Sequence, residues 1–158
     1  MEPSMPLYVC NQQALRLPLP VDAAFQLFTP KGEESWIPEW RPRYIRPADG
    51  KTEAGMVFTT GEGAEFTIWQ VADFDAAARK ARYARTTPAL RVGMVTVDAK
   101  PLGDSETEVL VRYEMTALSG AGEESMTQYE GEAFVQMIGQ WREMILRVLP
   151  RLTASSSS

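Results

Sequence analysis

ETEVLVRYEMTALSGAGEESMTQYEGEAFVQMIGQWREMILRVL, residues 106–149, changes its hydrophobic period part-way. Thr107, Val109, Val111, Tyr113, Met115 and Ala117 alternate with Glu106, Glu108, Leu110, Arg112, Glu114 and Thr116. That is the period of two of a strand with one apolar face and one solvated face. Beyond Gly120 and Gly122 the repeat lengthens to about 3.6. Met126, Tyr129, Ala133, Met137, Trp141, Met144 and Val148 make one stripe, broadened by Phe134, Ile138, Ile145 and Leu149. The pattern predicts a long amphipathic helix over 124–149. Its acids, Glu123, Glu124, Glu130 and Glu132, gather at the start and its arginines, Arg142, Arg147 and Arg151, at the end, as the helix dipole favours. Gly131 weakens its first turns, Pro150 marks its exit, and 151–158 reads as a disordered tail.

Upstream, strands are predicted near 42–47, 55–60, 64–73, 78–86 and 90–99, separated by turn signals at Ala48-Asp49-Gly50, Gly61-Glu62-Gly63, Asp73 to Asp75, Pro88 and Pro101 to Asp104. The spacing is that of an antiparallel meander. In 64–73 the choice of inner face rests on Trp69 and Val71 against Phe66 and Ile68, and the former pair is preferred. Segment 90–99 is apolar on both sides, which leaves its inner face open. The first strand carries Leu15, Leu17 and Leu19 on one side. Two short helices follow it: one with Val21, Ala24, Phe25 and Phe28 at helical spacing and Asp22 as cap, then one with Thr29 as N-cap and Pro30 as first helical residue. The expected class is therefore α+β, a seven-stranded antiparallel sheet wrapped around a long C-terminal helix, with two short helices between strands 1 and 2. The only element long enough to cover the open sheet is the final helix.

Length and composition set bounds on function. At 158 residues the chain makes one domain, residues 1–150, with a single core. Its 16 basic and 21 acidic residues give a net charge of −5, which argues against a duplex nucleic-acid binder. Cys10 is the one cysteine, so no intramolecular disulfide or four-cysteine zinc site forms. The opening MEPSMPLYVC has no export-signal character, and no apolar run is long enough to span a membrane. A cytoplasmic protein is expected. The absence of histidine excludes Ser-His-Asp and Cys-His nucleophiles, histidine acid–base catalysis and nearly all zinc and haem ligation. GxSxG, S-x-x-K and Walker-type motifs are also missing. No metal or cofactor is expected, and chemistry would fall to carboxylates, tyrosines, arginines or lysines.

The element order resembles the helix-grip fold of the SRPBCC superfamily, which groups START-type lipid-transfer domains, the birch-pollen-allergen type and the polyketide cyclases. The resemblance covers roughly residues 7–150. It is carried by GEESWIPEW at 32–40, the G-x-V-F-T-T run at 55–60, TIWQV at 67–71 and V-x-Y-x-x-T-A-L-S at 111–119. It implies a hydrophobic cavity between sheet and helix, but no fixed catalytic residues. Trp36 and Trp40 would stand at its rim, with core packing the competing reading for both. Glu33, Glu34 and Glu39 read as dipole partners or solvated turn residues ahead of catalytic acids. Inside, the candidates are Phe58, Trp69, Tyr83, Val111, Tyr113, Met115, Met126, Tyr129 and Met137, with Arg79, Arg85 or Arg91 able to point inward and hold an enolate or carboxylate.

The expected function is binding or transport of a small hydrophobic ligand, lipids included. The alternative is a polyketide cyclase- or dehydratase-like enzyme using Tyr, Arg and Glu in the same cavity. A weaker reading is a chaperone-associated or stress-response interaction module. Monomer and dimer are both open.

Overall fold

The computed structural model describes residues 7–155, so positions 1–6 of the expected domain and 156–158 of the expected tail lie outside it. Strand β1 (Tyr8–Leu17) leads into α1 (Val21–Gln26) and α2 (Pro30–Glu33). The meander follows as β2 (Arg43–Arg46), β3 (Val57–Thr60), β4 (Thr67–Asp75), β5 (Lys80–Thr87), β6 (Arg91–Gly103) and β7 (Glu106–Ala117). Then come α3 (Gly120–Glu124), a 3-10 turn (Thr127–Tyr129) and α4 (Gly131–Ser155). The strands form one antiparallel sheet in the order β1-β7-β6-β5-β4-β3-β2, so the first strand pairs with the last.

Alternation decides which side chains meet the helix. On β7 all six residues expected inside, Thr107 to Ala117, are buried. Trp69 and Val71 are buried on β4, whereas Phe66 and Ile68 are exposed. On β6, Arg91, Val95, Val97 and Ala99 face inward, which assigns the side that the sequence leaves open. Register then lines up inner rows across the sheet. Phe58, Trp69, Arg85, Gly93, Met115 and Val9 form one row, and Val71, Tyr83, Val95, Tyr113 and Asn11 form the next.

The C-terminal helix differs from its expected form in three ways. The chain from 120 to 130 is not its first turns but α3 and the 3-10 turn, because Glu130 is extended and Gly131 adopts φ 50°, a left-handed conformation that interrupts a helix. The helix also passes through Pro150 and runs to Ser155, since proline's fixed φ is helical and its cost is the missing amide donor. The expected tail is thus helical over 151–155. The stripe is centred on Phe134, Ile138 and Ile145, with Met137, Trp141, Met144 and Val148 half-buried beside it and Ala133 exposed.

The short helices close one end. Thr29 caps α2 as expected, its Oγ1 accepting from the Gly32 amide at 3.0 Å. Asp22 caps nothing: Pro20 holds the N-cap position of α1, and Asp22 pairs with Arg79 instead. Gly32 lies so near the end of α1 that a Cβ there would stand 1.8 Å from the Gln26 carbonyl oxygen.

Candidate functional site

The helix α4 comes closest to the sheet at β1 and stands off the remaining strands, where large side chains fill the space. An internal cavity of about 30 Å³ remains there, lined by Phe28, Pro30 and Glu33 from the short helices, Trp40, Phe58, Trp69, Tyr83, Val95, Val97 and Tyr113 from the loop and sheet, and Trp141 from α4. Such a volume holds about two water molecules.

Five expected site residues line it. Phe58 and Trp69 stack nearly parallel, with centroids 5.6 Å apart, and Trp40 meets both edge-on. Each indole is anchored, Trp40 Nε1 donating to the Pro30 carbonyl at 2.9 Å and Trp69 Nε1 to Thr60 Oγ1 at 2.9 Å. Tyr83 donates its phenol proton to the Phe28 carbonyl at 2.9 Å. Tyr113 stacks on Tyr129 at 5.2 Å.

The other six stand back from the cavity. Trp36 is buried in the core between Phe28 and Trp141, and donates to the Leu27 carbonyl at 2.7 Å. Of the two tryptophans in GEESWIPEW, Trp40 therefore borders the cavity and Trp36 ties the short helices to α4. Val111 is core, further along β7. Met115 covers Gly93, where an added Cβ would lie 2.4 Å from its sulfur. Met126 is fully buried beside the 3-10 turn, Tyr129 backs Tyr113, and Met137 is half-buried on α4.

The three glutamates separate in role. Glu34 receives the Tyr44 phenol and lies 3.8 Å from Lys31. Glu39 is exposed at φ 64° in a turn. Both match the bland expectation. Glu33 does not: it lines the cavity, and burial pushes its carboxyl well above the usual range, with Arg85 partly opposing the shift. The phenols of Tyr83 and Tyr113 are likewise pushed up by burial and stay protonated, Arg85 partly opposing the shift at Tyr113.

The three arginines separate too. Arg79 pairs with Asp22 at 2.9 Å near the surface. Arg91 is 2% exposed and bound to Glu65 and Ser125. Arg85 turns inward next to the cavity wall, its guanidinium 4.6 Å from the Trp69 ring centroid and 6.0 Å from that of Tyr129. Sequence reasoning had no means to place Val95 and Val97, because β6 is apolar on both faces. Trp141 was legible in the helical stripe, but not its reach into the cavity.

The same architecture occurs in solved structures of other proteins. Norcoclaurine synthase from Thalictrum flavum superimposes with a TM-score of 0.62 at 12% identity, over 89% of this chain and 88% of that one. The fold is helix-grip. Ara h 8.0201 has it at TM-score 0.63 and 14% identity, covering 90% of this chain and 99% of its own. The Zhui aromatase/cyclase from Streptomyces sp. R1128 has it at TM-score 0.54 and 14% identity, covering 95% and 89%. No protein family matches the sequence itself, and no curated protein does. At these identities the likeness concerns the fold. Among the described residues no helix is long and apolar enough to cross a membrane.

Proposed function

We propose that this protein binds a small, largely apolar molecule in the cavity between the sheet, the short helices and α4. The observation that carries the reading is the cavity wall: aromatic rings from the sheet, the loop after α2 and α4, with the Trp40 and Trp69 indoles each held by a hydrogen bond, and Glu33, Tyr83 and Tyr113 as its polar points. A few fixed polar groups in an apolar wall orient a ligand, and the rest of the wall supplies contact area. Ligands of ordinary size widen the space, and the side that yields is α4, where Met137 and Met144 are half-buried and methionine repacks readily. The solved structures support this use of the fold, one of norcoclaurine synthase being a complex with dopamine and hydroxybenzaldehyde. The test is saturable quenching of tryptophan emission by an environment-sensitive apolar dye, reversed by a competing small aromatic. Linear, non-competable quenching would refute the proposal.

An enzyme of the cyclase or dehydratase type is the second reading, favoured by one observation. Glu33 is a cavity carboxyl raised toward neutrality, which is what a general acid or base in a histidine-free site needs. Ligand turnover abolished in Glu33→Gln with binding retained would favour it. Binding unchanged across pH 5.5 to 8.5 with no turnover favours the carrier.

A further inference from the structure

We propose that the ligand of this cavity carries a carboxylate at one end of its apolar body and that Arg85 receives it. The inference rests on the cavity-binding reading above and names the class of ligand.

Arg85 faces inward opposite Trp69 on one side and Gly93 on the other. Gly93 contributes no side chain opposite Arg85, and the Met115 thioether and the Glu114 backbone carbonyl close in on that position. The guanidinium lies over the Trp69 ring, 4.6 Å from its centroid and 6.0 Å from that of Tyr129, and π-contacts of this kind do not use up its N–H donors. Yet its Nε is buried with no acceptor, and among the described residues no carboxylate lies within 4.0 Å of it. Arg79 and Arg91, the other arginines weighed for an inward role, are each neutralised by an acid. Glu33 senses Arg85 across the site without forming an ion pair with it. A half-buried cation without a counter-charge is costly, and an anion placed between these groups offsets the cost.

The hydrogen-bonding inventory points the same way. Tyr83 has already donated its proton to Phe28. What remains for a ligand is the Arg85 edge and the Tyr113 phenol beside it, with Glu33 as the third polar point of the wall. Arg85 and Tyr113 can donate, and the burial that raises the Glu33 carboxyl favours its protonated, donating form. An acceptor-rich group fits such a set, and an ammonium would meet a cation and no fixed anion.

The experiment is a titration of the full chain at pH 7 with three matched probes, 3-phenylpropanoate, 3-phenylpropanamide and 3-phenylpropylamine, followed by tryptophan emission and calorimetry. The propanoate is expected to bind at least about tenfold more tightly than the amide, and the amine most weakly. In Arg85→Met, whose chain still covers Trp69, the preference for propanoate falls to within about twofold while amide affinity is kept. Arg85→Gln serves in its place should the methionine variant lose its near-ultraviolet dichroism. Equal binding of acid and amide, tighter binding of the amine, or a preference that survives loss of the guanidinium would overturn the carboxylate while leaving the cavity reading intact. No saturable binding of any probe would overturn the cavity reading and this inference with it.

Discussion

Glu65 and Arg91 are joined by a two-pronged ion pair, Nη2 to Oε1 at 2.6 Å and Nη1 to Oε2 at 3.4 Å, with the arginine inside the protein and the glutamate at its surface. Arg91 Nη1 also donates to Ser125 Oγ at 2.7 Å. One buried guanidinium thus ties the loop before β4 to the end of α3.

Removing the Glu65 charge leaves Arg91 buried with weaker partners. Glu65→Gln is expected to cost about 1–2 kcal/mol at pH 7, toward the lower end for a charged hydrogen bond because the Glu65 side chain is 59% exposed. The hydrogen bond from Arg91 holds the Glu65 carboxyl below its ordinary range. Its contribution is therefore full above about pH 4.3 and is lost as pH falls through the depressed value. Urea denaturation from pH 3 to 7 would show the two proteins converging in acid; a constant gap would contradict the assignment.

Glu33 predicts the opposite slope. Its folded-state value is raised by burial, so the folded protein binds more protons than the unfolded chain above about pH 4, and stability declines as pH rises toward the raised value. Glu33→Gln removes that decline. The variant should match the parent near pH 4 and exceed it at pH 8. Parallel stability curves would show that the carboxyl is not held in the interior.

The tryptophans should report binding unequally. Trp40 and Trp69 border the cavity, whereas Trp36 is a core residue bonded to the Leu27 carbonyl. Trp69→Phe and Trp40→Phe are expected to diminish ligand-induced quenching. Trp36→Phe should keep the quenching and lower the melting temperature, with a loss of about 1–3 kcal/mol from the broken hydrogen bond and the smaller ring. Quenching that vanishes only in the Trp36 variant would move the binding site behind the short helices.

Two helical glycines should respond in opposite directions to alanine. Gly139 on α4 is exposed with nothing within 4 Å of a built Cβ, so Gly139→Ala should stabilise by about 0.5–1 kcal/mol. At Gly122 a Cβ would stand 1.8 Å from the Leu90 carbonyl oxygen, and backbone must shift to admit it. Gly122→Ala should cost at least about 2 kcal/mol. Thermal melts of the two variants decide, and a neutral Gly122→Ala would mean that α3 is free to move off the β5–β6 turn.

The sheet was legible because alternation is local. Once Thr107 to Ala117 are assigned one face, a period of two carries the assignment along β7 without reference to any other strand. Helix limits were less legible: Gly131 and Pro150 both read as marks on a continuous pattern, but Gly131 starts the helix and Pro150 lies within it. A glycine's φ depends on the chain that must connect there, and a proline's cost on what packs around the turn. GEESWIPEW shows the same division. Its capped turn follows from Thr29 and Pro30, but nothing in the order of residues says that Glu33 enters the cavity while Glu34 leaves it for Tyr44.

What the sequence by itself determined was the class of fold, the absence of histidine chemistry and the inner faces of β4 and β7, because each follows from composition or from a period that a single segment carries. Only the tertiary structure decided which arginine lies beside the cavity without an ion-pair partner and which glutamate shares it. Arg79, Arg85 and Arg91 are alike as residues, and their difference lies in partners brought from Asp22 and Glu65, far away in the chain. Burial and pairing at such distances are set by the register of seven strands and the stand-off of one helix, which no local pattern encodes.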